Sequence, residues 1–220
     1  MEKNFLDLFF PKFCLGCQKE GDYLCQDCLF LIDFSDKVLK KGKEISGLYC
    51  ATDYENFLVK RLIQNLKYEP FAKGLANTLA FLIIIYFKNL EKPPEFLKKK
   101  EDFYLIPIPL YKKRLRWRGF NQAEEIGKFL SKYFEIPLIS DALIKARDTL
   151  PQLNLPQALR KENVKDVFVC KRPELVKGKK ILLVDDVFTT GSTMDEAARA
   201  LKEVGAKQVF GIVVAGSDRI

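Results

Sequence analysis

The chain has 220 residues, 48% hydrophobic and 30% charged, with a net charge of +8 and no histidine. This composition excludes a disordered or fibrous chain and allows one well-packed core with a small appendage. The excess of cations belongs to the residues after 50, which favours anionic partners such as phosphates or nucleic acid.

The first ten residues form a charge-interrupted apolar run without a small-residue cleavage site, so they do not read as a secretory signal and a cytoplasmic location is expected. Four of the six cysteines follow as Cys14-x-x-Cys17 and Cys25-x-x-Cys28. Two such knuckles supply the four-thiolate tetrahedral shell that zinc prefers, with Gly16 inside the first turn. Two disulfides are the alternative, and a cytosolic compartment disfavours them. Four cysteines close the coordination shell, so the zinc is expected to be structural. Residues 1–46 are read as this zinc-binding module and residues 47–220 as the main domain.

Residues 47–52 read as a strand and residues 55–66 as a helix, with Phe57, Leu58, Leu62, Ile63 and Leu66 at helical spacing. A second helix is expected over 71–90. Its apolar window at 81–87 is far too short to span a bilayer, so no transmembrane segment is predicted. Residues 91–95 break the helix, and the lysines at 98–100 read as a solvated loop. Residues 104–109 form a short apolar strand containing two prolines, and a basic loop is expected directly after it. Asn121 and Glu124 have capping-box spacing and open a helix to about Tyr133. Residues 142–146 and 167–170 read as an antiparallel pair of strands, with a mobile loop over 147–165 between them. The run 181–184 is continuously apolar, as a parallel strand buried on both faces should be. A helix over 192–204 closed by Gly205 and a strand over 208–215 complete the chain. Cys50 and Cys170 read as core residues.

Asp185 and Asp186 end the buried strand, and Thr189, Thr190, Gly191, Ser192 and Thr193 link it to the helix. Small residues let backbone N–H groups wrap a phosphate, and the helix N-terminus adds partial positive charge. The two carboxylates suit ribose hydroxyls and Mg²⁺ held through water. The Gly-x-x-x-x-Gly-Lys and Gly-x-Gly-x-x-Gly patterns are both missing, which disfavours nucleoside triphosphates and NAD.

Between residues 112 and 118 lie five cations and Trp117, with no acid. Three readings stay open: counter-charge for a diphosphate, a nucleic-acid contact on which Trp117 and Phe120 stack bases, or a solvated face over buried aromatics.

The string 181–193 resembles the signature of type I phosphoribosyltransferases, which implies a mainly parallel α/β sheet flanked by helices. By that resemblance Asp185 and Asp186 are the catalytic acidic pair and hold the ribose hydroxyls. Thr189, Thr190, Gly191, Ser192 and Thr193 take the 5-phosphate of 5-phosphoribosyl-1-diphosphate (PRPP). The segments 106–110 and 114–123, the residues Arg147, Thr149, Gln152, Arg160 and Asn163, and the four-cysteine module together resemble the ComF competence family over nearly the whole chain. That resemblance implies a diphosphate loop at Leu110, Tyr111, Lys112, Lys113 and Arg114, and a flexible flap containing Arg147, Thr149, Gln152 and Arg160. It also implies structural Zn, Mg with PRPP, and a part in importing single-stranded DNA beside a helicase at the inner face of the membrane. Arg116, Trp117 and Arg118 are the candidate nucleic-acid contacts. Two alternatives stand beside this reading: an active phosphoribosyltransferase of nucleotide or salvage metabolism, and a non-enzymatic single-stranded DNA-binding module. Salvage relatives carry an aspartate, their general base, where this chain has Thr189, and a hydroxyl is a poor proton acceptor at neutral pH.

Overall fold

Near-continuous burial along the strands decides the architecture. The computed structural model describes residues 11–36, 38–39, 42–68, 72–147 and 166–217. A short helix α1 (Gln26–Leu29) follows the second cysteine knuckle, and the main domain begins at β1 (Gly47–Asp53) and α2 (Phe57–Tyr68). Next come α3 (Leu75–Asn89), α4 (Glu95–Lys98), β2 (Phe103–Pro107), α5 (Lys112–Arg118) and α6 (Gln122–Phe134). The chain then forms β3 (Leu143–Lys145), β4 (Phe168–Cys170), α7 (Pro173–Val176), β5 (Lys180–Phe188), α8 (Ser192–Glu203) and β6 (Gln208–Gly216).

β1, β6, β5 and β2 form one parallel sheet in that order, and β3 and β4 pair antiparallel, as their sequence pattern predicts. Leu182, Val184, Ile212 and Val214 pack under Leu62, Leu66, Leu79, Ile83, Ile126 and Leu130 of α2, α3 and α6. Ile181, Leu183 and Val213 face the other way, toward Met194, Ala197 and Leu201 of α8 and Phe168 of β4. Both faces of the sheet are therefore covered, the arrangement that an all-parallel sheet requires.

The cysteine module is packed onto this body. Cys14, Cys28 and Ile32 belong to the same buried cluster as α2 and α3. A Cβ on Gly16 would lie 2.6 Å from Cys28 Sγ and 2.9 Å from Leu58 Cδ2, so this glycine serves close approach. Further along, the Asp195 carboxylate in the first turn of α8 accepts the backbone N–H groups of Lys43 and Glu44 at 3.0–3.1 Å.

Three expectations are corrected. Lys98 and Lys100 lie in two short helical turns on either side of Lys99, because Leu97 and Lys99 N–H close on Pro94 and Glu95 carbonyls and Asp102 N–H on that of Lys99. The basic segment after β2 is the helix α5, ended by Gly119 in the left-handed region with φ +79°. β5 continues through the acidic pair to Phe188, because Val187 and Phe188 still pair with Ala215 and Gly216 of β6. The expected mobile loop falls on 148–165, outside the described residues.

Candidate functional site

Because β5 runs on past Val184, its alternation sends the two carboxylates to opposite faces of the sheet. Asp185 falls on the α8 side and lines a small pocket with Val187, Phe188, Thr189, Gly191, Thr193 and Met194. Asp186 falls on the α2 side, where its Oδ1 accepts Lys67 Nζ at 2.9 Å with both side chains largely buried. The acidic pair thus straddles the strand end.

The loop at 189–193 closes the pocket. Gly191 is the N-cap of α8 with φ +79°, and a Cβ there would sit 2.6 Å from Phe188 Cζ. Thr190 Oγ1 and Ser192 Oγ lie 3.0 Å apart, and Asp195 N–H is the first to close on a helix carbonyl, that of Gly191, at 2.8 Å. A helix N-terminus turns its first-turn N–H groups outward, where a phosphate can accept from them. Of the five residues expected to take the phosphate, Thr189, Gly191 and Thr193 line the pocket, and Thr190 and Ser192 meet each other in the same loop.

Burial, reinforced by the charge of Asp186, pushes the Asp185 carboxyl up to about 7, although Lys67 and the Asp186 N–H at 2.8 Å oppose this. The folded protein therefore holds this proton more tightly than the unfolded chain. The resulting stabilisation is complete below pH of about 4 and is lost as the pH rises through about 7. Asp185→Asn, which stays neutral, should raise the melting temperature over wild type at pH 8 by more than at pH 5. Equal gains at both pH values would contradict a raised Asp185.

On the other side of β5, burial pulls Lys67 down, but Asp186 and then Asp185 outweigh it and hold the ammonium above its ordinary value. Arg118, at the end of α5, is pulled below its ordinary value by burial, against the field of Asp186. Its Nε is buried without a hydrogen-bond partner, and so is Nε2 of Gln122, a residue only 3% exposed. Between them Asn121 caps α6. Its Oδ1 accepts Ala123 N–H at 3.2 Å and its Nδ2 donates to Ile108 O at 3.0 Å. Glu124 meets Lys128 at 2.9 Å, so the capping box shows only its asparagine half.

The remaining candidates divide by exposure. Lys112, Lys113, Arg116 and Trp117 are exposed, Trp117 to 70%, which removes the reading of Trp117 as core. Phe120 is half-buried against the main cluster. Leu110, Tyr111 and Arg114 are half-buried. Of the flap residues, Arg147 is exposed and donates to Asp166 O at 3.0 Å, while Thr149, Gln152 and Arg160 lie outside the described residues. Sequence reasoning missed Lys67 and Gln122. The only local signal for Lys67 is a cation in the last turn of an amphipathic helix, next to the buried Leu66.

A second centre lies in the N-terminal module. The sulfurs of Cys14, Cys17, Cys25 and Cys28 all lie within 4.8 Å of one another, and none is in a disulfide. A tetrahedral Zn²⁺ with 2.3 Å bonds needs sulfurs about 3.8 Å apart, so the four fit the ion after a small contraction. Burial opposes ionisation of Cys14, but backbone N–H groups led by that of Cys25, 3.4 Å away, bring its thiol down to about 6. That favours the thiolate, the form that binds metal.

Residues 121–219 match the family model for the phosphoribosyl transferase domain. The chain is 30% identical to Competence protein F of Haemophilus influenzae over 204 residues, covering 91% of this chain and 82% of that protein. It is 38% identical to the DNA utilization protein YhgH of Escherichia coli K12 over 200 residues, covering 89% and 85%. Among solved structures, the glutamine PRPP amidotransferase from B. subtilis matches with a TM-score of 0.38 and 22% identity, over 64% of this chain and 25% of that one. Among the described residues, no helix is long and apolar enough to cross a membrane.

Proposed function

Since this chain belongs to the ComF family, we propose that it serves DNA uptake through a phosphoribosyltransferase-like domain that binds PRPP with Mg²⁺. The observation that carries this reading is the nest at 189–193 beside an acidic pair, at the carboxyl end of a buried parallel strand. The 5-phosphate would accept from the N–H groups at the start of α8. The ribose hydroxyls would donate to Asp185 and Asp186, and Leu110–Arg114 would flank the diphosphate. Mg²⁺, when bound, would neutralise the diphosphate and use the carboxylates through water. Calorimetric titration tests this: one PRPP should bind per chain, more tightly with Mg²⁺ than without, and no binding in either condition overturns it.

The exposed face of α5 favours single-stranded DNA as a second ligand. Trp117 is the only tryptophan in the chain and lies among Lys112, Lys113 and Arg116, all exposed. Stacking of a base on it is worth about 1–3 kcal/mol. An oligonucleotide should therefore quench tryptophan fluorescence, with an affinity that falls steeply with salt. Quenching absent at low salt would remove α5 from the DNA surface.

For the module we propose structural zinc. Metal analysis of protein prepared without chelator should find about one zinc per chain. Removing it should lower thermal stability, because Cys14 and Cys28 are part of the cluster that covers α2. Finding no metal, or a disulfide among these cysteines, would end this assignment. The 1–46 and 47–220 division is likewise proposed as one of sequence units, packed together in the folded chain.

A further inference from the structure

We propose that Lys67, Arg118 and Gln122 form an inner anion site for the diphosphate of the ligand, and that Lys67 exchanges Asp186 for a diphosphate oxygen when the ligand enters. The inference rests on the PRPP reading above and assigns groups outside both the nest and Leu110–Arg114.

Two buried donors, Arg118 Nε and Gln122 Nε2, have no acceptor among the described residues. Folded proteins rarely leave such groups unpaired, and two in one five-residue stretch point to an oxygen-rich ligand. The stretch is held in place: Gly119 turns it, and Asn121 Nδ2 ties it to Ile108 O just beyond the end of β2. Pro107 of β2 pairs with Val184 of β5, and Asp185 and Asp186 follow immediately. The Asp186 charge acts on Arg118, which sets this stretch beside the acidic pair.

Lys67 reaches the same place from α2. Its 2.9 Å contact with Asp186 joins residues 119 apart in sequence. Both Lys67 and Arg118 feel the Asp186 charge, and Lys67 that of Asp185 as well, so both cations are turned toward the acidic pair. A buried ion pair adds little net stability, which gives this one small cost of exchange. The nest lies on the α8 side of β5 and this cluster on the α2 side, with the two carboxylates between. A ligand carrying a phosphomonoester at one end of a sugar and a diphosphate at the other matches that spacing of charges.

The test is calorimetric titration of the full chain and its variants with PRPP, ribose 5-phosphate and inorganic diphosphate, each with Mg²⁺. Lys67→Met should lose about tenfold or more in affinity for PRPP and diphosphate, while ribose 5-phosphate binds as well as before or better because Asp186 is freed. Lys67→Arg should restore diphosphate binding to within about threefold of wild type. Arg118→Met should show the same selective loss with equal or higher melting temperature, since it removes a buried unpaired donor. It also carries the test should Lys67→Met fail to fold. Affinities for PRPP and diphosphate within twofold of wild type in these variants, or equal loss for all three ligands, overturn the inner site. A wild-type chain that binds neither PRPP nor ribose 5-phosphate overturns the parent reading instead.

Discussion

Gly191→Val is expected to lose binding of both PRPP and ribose 5-phosphate, by about 100-fold or more, since both ligands carry the 5-phosphate. Two facts about the position drive this. Its φ of +79° is one that a β-branched residue adopts only under strain, and the new Cβ would lie 2.6 Å from Phe188 Cζ. Phe188 cannot yield freely, because it is buried and its backbone pairs with Gly216 of β6. The loop must shift instead, and the N–H groups at the start of α8 move with it. The fold should survive at a cost of about 2–4 kcal/mol, in line with a strained backbone plus local overpacking. Circular dichroism checks folding and calorimetry reads the loss. A folded variant with wild-type affinity for ribose 5-phosphate would remove the nest from the site.

Asp185→Asn with Asp186→Asn should give a different pattern. The substitutions keep volume while removing the charges proposed to accept ribose hydroxyls and to hold Mg²⁺. Charged hydrogen bonds are worth about 1.5–3 kcal/mol each, so PRPP binding should weaken by about 2–4 kcal/mol. The loss should be larger in titrations containing Mg²⁺ than in Mg²⁺-free buffer, where only the ribose hydroxyl contacts are weakened. Stability has two opposing parts. Losing the charge of Asp185 relieves a carboxyl pushed up to about 7, whereas losing that of Asp186 leaves the largely buried Lys67 ammonium without its partner. A binding loss equal with and without Mg²⁺ would deny the pair its proposed role.

The divided behaviour of these two aspartates explains how far the sequence could be read. The continuous apolar run 181–184 specifies a doubly covered parallel strand, and the small residues at 189–193 specify the turn into α8. Both signals are local, as is the spacing of the four cysteines. What the sequence concealed depends on partners distant along the chain. Extension of β5 to Phe188 follows from pairing with Ala215 and Gly216, and it puts Asp185 and Asp186 on opposite faces. The role of Lys67 follows from a contact 119 residues away, and nothing beside it in the chain announces this. The helix α5 escaped because its seven residues include five cations and two exposed apolar side chains, Leu115 and Trp117, so they show no amphipathic period. Exposure then separates Arg118 from Lys112, Lys113 and Arg116, a distinction that composition alone cannot draw.

Amide resonances test the central claim most directly. In ¹⁵N-labelled protein titrated with PRPP and Mg²⁺, the N–H signals of Thr189, Thr190, Gly191, Ser192 and Thr193 should shift together and saturate at one ligand per chain. Ribose 5-phosphate should move the same five. Shifts that leave Gly191 and its neighbours unmoved while the ligand binds elsewhere would contradict the phosphate nest and the PRPP reading built on it.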